Sequence, residues 1–138
     1  SGLSSYITNE ELETTVGVWI KFQGGVRLRC LRAGGSNRKY ARALQAAIRP
    51  HKRQVDRGTL DDEVSNDILR DVYAKHVVKD WEGVKTKDGQ EVPYAPSSAV
   101  EFFRAVPELF NELVVVASEM STFAEDRVKE AEEALGNS

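Results

Sequence analysis

The 138-residue chain has one cysteine, Cys30, and two histidines, His51 and His76. A lone thiol excludes an internal disulfide and fits a reducing compartment. Two histidines far apart in sequence, with no second cysteine, provide no metal-ligand spacing. The longest wholly apolar run, residues 113–117, is far short of the roughly 20 residues that span a bilayer, and no apolar leader opens the chain. A membrane location is therefore not expected. Repeats and low-complexity segments are absent as well, which sets aside solenoid and collagen-like architectures.

Motifs for chemistry are equally scarce. The pairs Gly24-Gly25 and Gly34-Gly35 lack both the spacing and the lysine of a phosphate-binding loop, and they do not match the dinucleotide pattern. Acid pairs such as Asp61/Asp62 and Glu132/Glu133 sit where they cap or solvate helices rather than where two carboxylates share a substrate. Cys30 falls on the apolar side of an alternating strand pattern, and His76 lies beside an apolar helix stripe; both read as structural. No catalytic residue, cofactor or metal site is expected, so the chain should act by binding other proteins.

The composition is that of an ordinary globular domain, 41% hydrophobic and 30% charged, and 138 residues suffice for one core. Charge is unevenly distributed. Residues 16–57 hold 11 Lys and Arg against Asp56 alone, whereas residues 58–138 hold 8 against 18 acids, so a +10 region precedes a −10 region. Such asymmetry allows nucleic-acid binding, head-to-tail contact between subunits, or complementarity within one fold. Arg27, Arg29, Arg32, Arg38, Lys39, Arg42, Arg49, Lys52, Arg53 and Arg57 could form one basic surface. Aromatic interleaving is thin, however, and no recognition-helix motif is visible, so nucleic acid is not the expected partner.

The pattern predicts a mainly α fold, with four or five helices and an N-terminal two-stranded β-hairpin in a single domain over 1–138. Residues 1–15 are expected to be a flexible arm or a short helix, 16–123 the core, and 124–138 a charged tail. Residues 16–22 and 26–32 alternate as strands around Gln23-Gly24-Gly25, with Val26, Leu28 and Cys30 on the apolar face. The opposite side of the second strand should carry Arg27, Arg29 and Leu31. Ser36 is the expected N-cap of a helix carrying Tyr40, Leu44 and Ile48, which Pro50 ends near Arg49; a basic connector follows to Gly58. Thr59 and three acids open a helix whose apolar stripe from Leu60 runs through Val72 and Val77 to Trp81, with Gly83 as its stop. Residues 87–90 read as a turn, Ser97 or Ser98 as the cap of a short helix, and Pro107 as the first turn of an apolar last helix reaching Phe123.

Taken in order, Val16-Gly17-Val18-Trp19-Ile20, Ala33-Gly34-Gly35-Ser36-Asn37, Tyr40-Ala41-Arg42-Ala43-Leu44 and Ile48-Arg49-Pro50 resemble the tail assembly chaperones of long-tailed phages and prophages. Thr59-Leu60-Asp61-Asp62-Glu63, the segment Val78-Lys79-Asp80-Trp81-Glu82-Gly83-Val84, Asp88-Gly89 and Val92-Pro93-Tyr94 resemble the same family, as does the helix before Pro107. The likeness covers about residues 14 to 125 and is carried by the order of the pieces, each ordinary by itself. It implies a protein of the host bacterial cytoplasm, absent from the mature virion. Its implied partners are the tape-measure protein, kept soluble until tube subunits displace the chaperone, and the tail-tube protein, recruited through a longer frameshifted form. Self-association into a homo-oligomer is implied too. Apolar grooves beside the hairpin and last helix would hold tape-measure segments, with partner-binding residues expected at Trp19, Phe22, Arg27, Arg29, Arg38, Arg42 and Trp81. The alternatives are a structural tail or head-completion protein of the virion and a small nucleic-acid-binding regulator.

Overall fold

The structure, a computed structural model, describes residues 9–124. Most of the expected tail and the first eight residues of the expected arm lie outside the described residues. The arm's remaining part forms α1 (Glu10–Thr14), where the Asn9 carboxamide oxygen accepts from the amide of Glu11 and three acids line the first turn. Gly17 and the apolar alternation that follows give β1 (Val18–Lys21) and β2 (Arg27–Cys30), paired antiparallel with Val18 opposite Cys30 and Lys21 opposite Arg27. Gly24 and Gly25 take φ of 76° and 78° in the connecting 3-10 turn, a region that side chains with a Cβ avoid.

The fold is mostly α with some β, as the pattern predicts, but the sheet has three strands rather than two. The expected helix from Thr59 to Trp81 ends early: α4 spans Asp62–His76, and Val78–Glu82 forms β3, antiparallel to β2 in the order β1-β2-β3. The reason is a β-bulge. Cys30 pairs with Val78 and Arg29 with Asp80, so Lys79 is the extra residue on β3. The bulge puts Val78 and Trp81, three positions apart, in the same buried set, and a spacing of three reads as helical.

Other boundaries shift for local reasons. Asn37, not Ser36, caps α2 (Arg38–Ile48), its side-chain oxygen accepting from the Tyr40 amide, while the Ser36 amide is taken by Glu13. Pro50 closes α2 as expected, yet the supposed connector is helical. A 3-10 turn at Arg49–His51, where the proline's missing donor costs nothing, leads into α3 (Lys52–Arg57). Asp61 rather than Thr59 caps α4. Pro96, not a serine cap, opens α5 (Pro96–Ala105). Pro107 opens α6 as predicted, but that helix stops at Ser118 because Glu119 turns extended, and Met120–Phe123 form a separate 3-10 turn. Leu31 is buried and does not join the basic side of β2.

One face of the sheet presents Leu28, Cys30, Val78 and Trp81 to a core completed by α4, α5 and α6. Aromatic rings run through that core in unbroken edge-on or tilted contact. Tyr40 meets Tyr73 at 5.7 Å, Tyr73 meets Phe110 at 5.5 Å, and Phe110 meets Phe103 at 5.0 Å. Phe102 links Phe103 to Trp81, which meets Tyr94 at 5.0 Å. Such arrangements align the positive ring edge with a negative face, and each buried ring removes a large apolar area from water.

Candidate functional site

Among the described residues no helix covers the other face of the sheet, which is partly exposed and carries the charges of the hairpin. Trp19 on β1, Arg27 and Arg29 on β2, and Asp80 and Glu82 on β3 share it by register. Arg27 donates to Glu82 and lies over the Trp19 ring, 5.9 Å from its centroid, an arrangement that holds the guanidinium and indole together. Arg29 donates to the Val16 carbonyl at 2.7 Å and makes no ion pair among the described residues. Trp19 is only partly buried, so a cation and an indole face outward side by side.

Arg38 and Arg42 lie on the exposed side of α2 together with Lys39 and Arg49, and none of the four makes an ion pair among the described residues. Lys79, the bulge residue, lies within electrostatic reach of Arg29 on the hairpin and Lys39 on α2, and its ammonium donates to the Lys75 carbonyl at 3.2 Å. Burial first, then the Lys39 and Arg29 cations, hold the Lys79 ammonium below its ordinary range. His76 next to it is lowered by burial and by Lys79, Lys75 and Lys39, with Asp71 opposing. Residues from four elements thus form one cationic corner. Lys79 was hidden from sequence reasoning by the bulge that places it.

Two of the expected partner residues are buried. Phe22 is a core residue that also lines a hollow beside the hairpin turn, and Trp81 is 5% exposed, with its indole N–H donating to the Val92 carbonyl at 2.7 Å. Five residues, Trp19, Arg27, Arg29, Arg38 and Arg42, remain accessible to some degree. A hollow of about 370 Å³ lined by Lys21, Phe22, Gly25, Val26 and Arg27 lies on one side of the hairpin turn. A smaller one of about 140 Å³ is formed by Gln23 with Val106, Glu108, Leu109 and Glu112.

Burial drives the Cys30 thiol well above its ordinary range, leaving it a poor nucleophile. Among the described residues no three His, Cys, Asp or Glu side chains gather as a metal-holding group, and no helix is long and apolar enough to cross a membrane. The arrangement can recognise: it offers an outward cation–indole pair, an unpaired basic helix face and shallow hollows.

No curated protein and no solved structure matches the chain. A family model does, over residues 35–137, from just before α2 past the last described residue, and its description is YdaY prophage protein. As the match takes in well over half of the sequence, the chain belongs to the YdaY prophage protein family.

Proposed function

We propose that this prophage-family protein is a tail assembly chaperone. It acts by binding rather than catalysis and needs no cofactor. It holds the tape-measure protein soluble in the host cytoplasm, self-associates while doing so, helps recruit tail-tube subunits and is left out of the finished virion. Membership of a prophage family and the resemblance of the sequence segments to those of tail assembly chaperones both support this reading. The observation that carries it is the unpaired cationic face of α2 and the open sheet beside a closed aromatic core. Such a surface suits extended polar recognition rather than enclosure of a small substrate.

The tape-measure segment is an amphipathic helix. Its apolar side chains enter the hollow beside Phe22 and Val26, and its acids meet Arg27, Arg29 and Lys21. Trp19 supplies the flat apolar contact between them, a residue type that often dominates binding energy.

Co-expression with the tape-measure protein encoded in the same prophage tests the proposal. A soluble complex of defined mass is the expected result, together with absence of this chain from purified particles by mass spectrometry. A folded chain that neither solubilises nor retains the tape-measure protein, and that is found in particles, would instead make it a structural component of the virion.

A further inference from the structure

Two helices of the chain carry complementary stripes with identical spacing. On α2 and its C-cap, Arg38, Arg42, Gln45 and Arg49 fall at i, i+4, i+7 and i+11; on α6 and its C-cap, Glu108, Glu112, Val115 and Glu119 fall at the same intervals. Intervals of this kind place side chains along one face of a helix, here for a length of about 16 Å. All eight residues are exposed, and none of the six charged ones makes an ion pair among the described residues. Val115 is 56% exposed, the largest value among the exposed large hydrophobic residues.

We infer that these stripes are the two halves of a contact between copies of this chain, with α2 of one copy lying parallel to α6 of the next. Parallel alignment sets Arg38 against Glu108, Arg42 against Glu112 and Arg49 against Glu119, and it places the uncharged Gln45 opposite the uncharged Val115. Antiparallel alignment keeps only the two end pairs and sets Arg42 against Val115 and Gln45 against Glu112. Charge pattern therefore selects orientation as well as partner. Ala41 and Ala46 are exposed beside the arginine stripe and leave room for close helix approach. The small hollow formed by Val106, Glu108, Leu109 and Glu112 with Gln23 receives an arginine from the neighbouring copy.

If both stripes face the same neighbour, the contact pairs two copies about a two-fold axis; if they face different neighbours, it runs head-to-tail. A head-to-tail contact generates a ring if the rotation closes and an open chain if it does not. The inference gives a surface to the self-association in the proposed function and rests on that part alone; tape-measure binding is a separate matter.

The test is charge exchange in the full chain, read by sedimentation velocity, with circular dichroism to verify folding. Arg42→Glu alone and Glu112→Arg alone are each expected to shift the parent oligomer to monomer, since each homotypic contact then sets like charges together. An equimolar mixture of the two variants is expected to reassociate in alternating order, as is the double variant. Folded single variants that associate like the parent would overturn the pairing, as would a mixture that stays monomeric. A parent that is monomeric at high concentration would overturn it as well. If the parent is monomeric yet still forms a soluble complex with the tape-measure protein, the chaperone reading survives and the self-contact does not.

Discussion

The side-chain amide of Asn37 donates to the carbonyl of His76 at 3.0 Å and to that of Arg32 at 2.9 Å, joining the exit of β2, the start of α2 and the end of α4. Its oxygen meanwhile accepts from the Tyr40 amide at 3.3 Å, and the residue is 3% exposed. One carboxamide thus satisfies backbone groups at the ends of three elements. Asn37→Ala removes a helix cap and strands two part-buried carbonyls, so a loss of about 2–4 kcal/mol is expected. Urea denaturation measures it; a loss below about 0.5 kcal/mol would mean that water replaces the amide freely.

Trp81 and Trp19 should separate stability from binding. Trp81→Ala empties a site packed by Tyr94 and Phe102 and orphans the Val92 carbonyl, so it should cost about 3–5 kcal/mol. Trp19→Ala, on the open sheet face, should cost under about 1 kcal/mol yet weaken tape-measure capture at least tenfold. Chemical denaturation and pull-down of the two variants give the comparison, and equal stability losses would contradict the assignment of the two rings.

Gly83 should not tolerate a side chain. It has φ of 82°, and a Cβ there would lie 2.2 Å from the Gly25 carbonyl oxygen, so the hairpin turn and the end of β3 would have to part. Gly83→Ala is expected to lower stability by about 2–4 kcal/mol, from strain plus displaced backbone. A thermal midpoint within about 2 °C of the parent would show that this contact yields easily.

The pH dependence of stability should carry a signature of His76. Burial and the Lys79, Lys75 and Lys39 cations hold its folded value below the ordinary 6.5, so the unfolded chain binds more protons between the two values. Its stabilising contribution is present above pH 6.5 and is lost as the pH falls from there through the lower folded value. His76→Gln should flatten the stability profile in that interval. Unchanged slopes from denaturation at several pH values would exclude His76 as the source.

Self-association should weaken with salt. At about 0.5 M salt the screening length falls to roughly 4 Å, which removes most of the attraction between exposed Arg and Glu stripes. Sedimentation at low and high salt should show dissociation, whereas a salt-indifferent oligomer would point to an apolar interface.

Much of the architecture could be read from local pattern. Alternation in residues 16–32 and the glycines between its two halves specify the hairpin, because a strand exposes its two faces with a period of two residues. Pro50 and Pro107 mark a helix end and a helix start through their missing donor and fixed φ. The division into basic and acidic regions is a property of the sequence outright. What tertiary structure decided was the third strand, since the Lys79 bulge gives β3 the spacing of a helix and only pairing with β2 resolves it. It also decided that Trp81 and Phe22 turn inward while Trp19 faces out, a choice made by which sheet face meets α4, α5 and α6. The cationic corner around Lys79 and the matching stripes of α2 and α6 follow from the same cause. Sequence fixes which side chains exist and their local period, but only packing determines which face of each element is left for a partner.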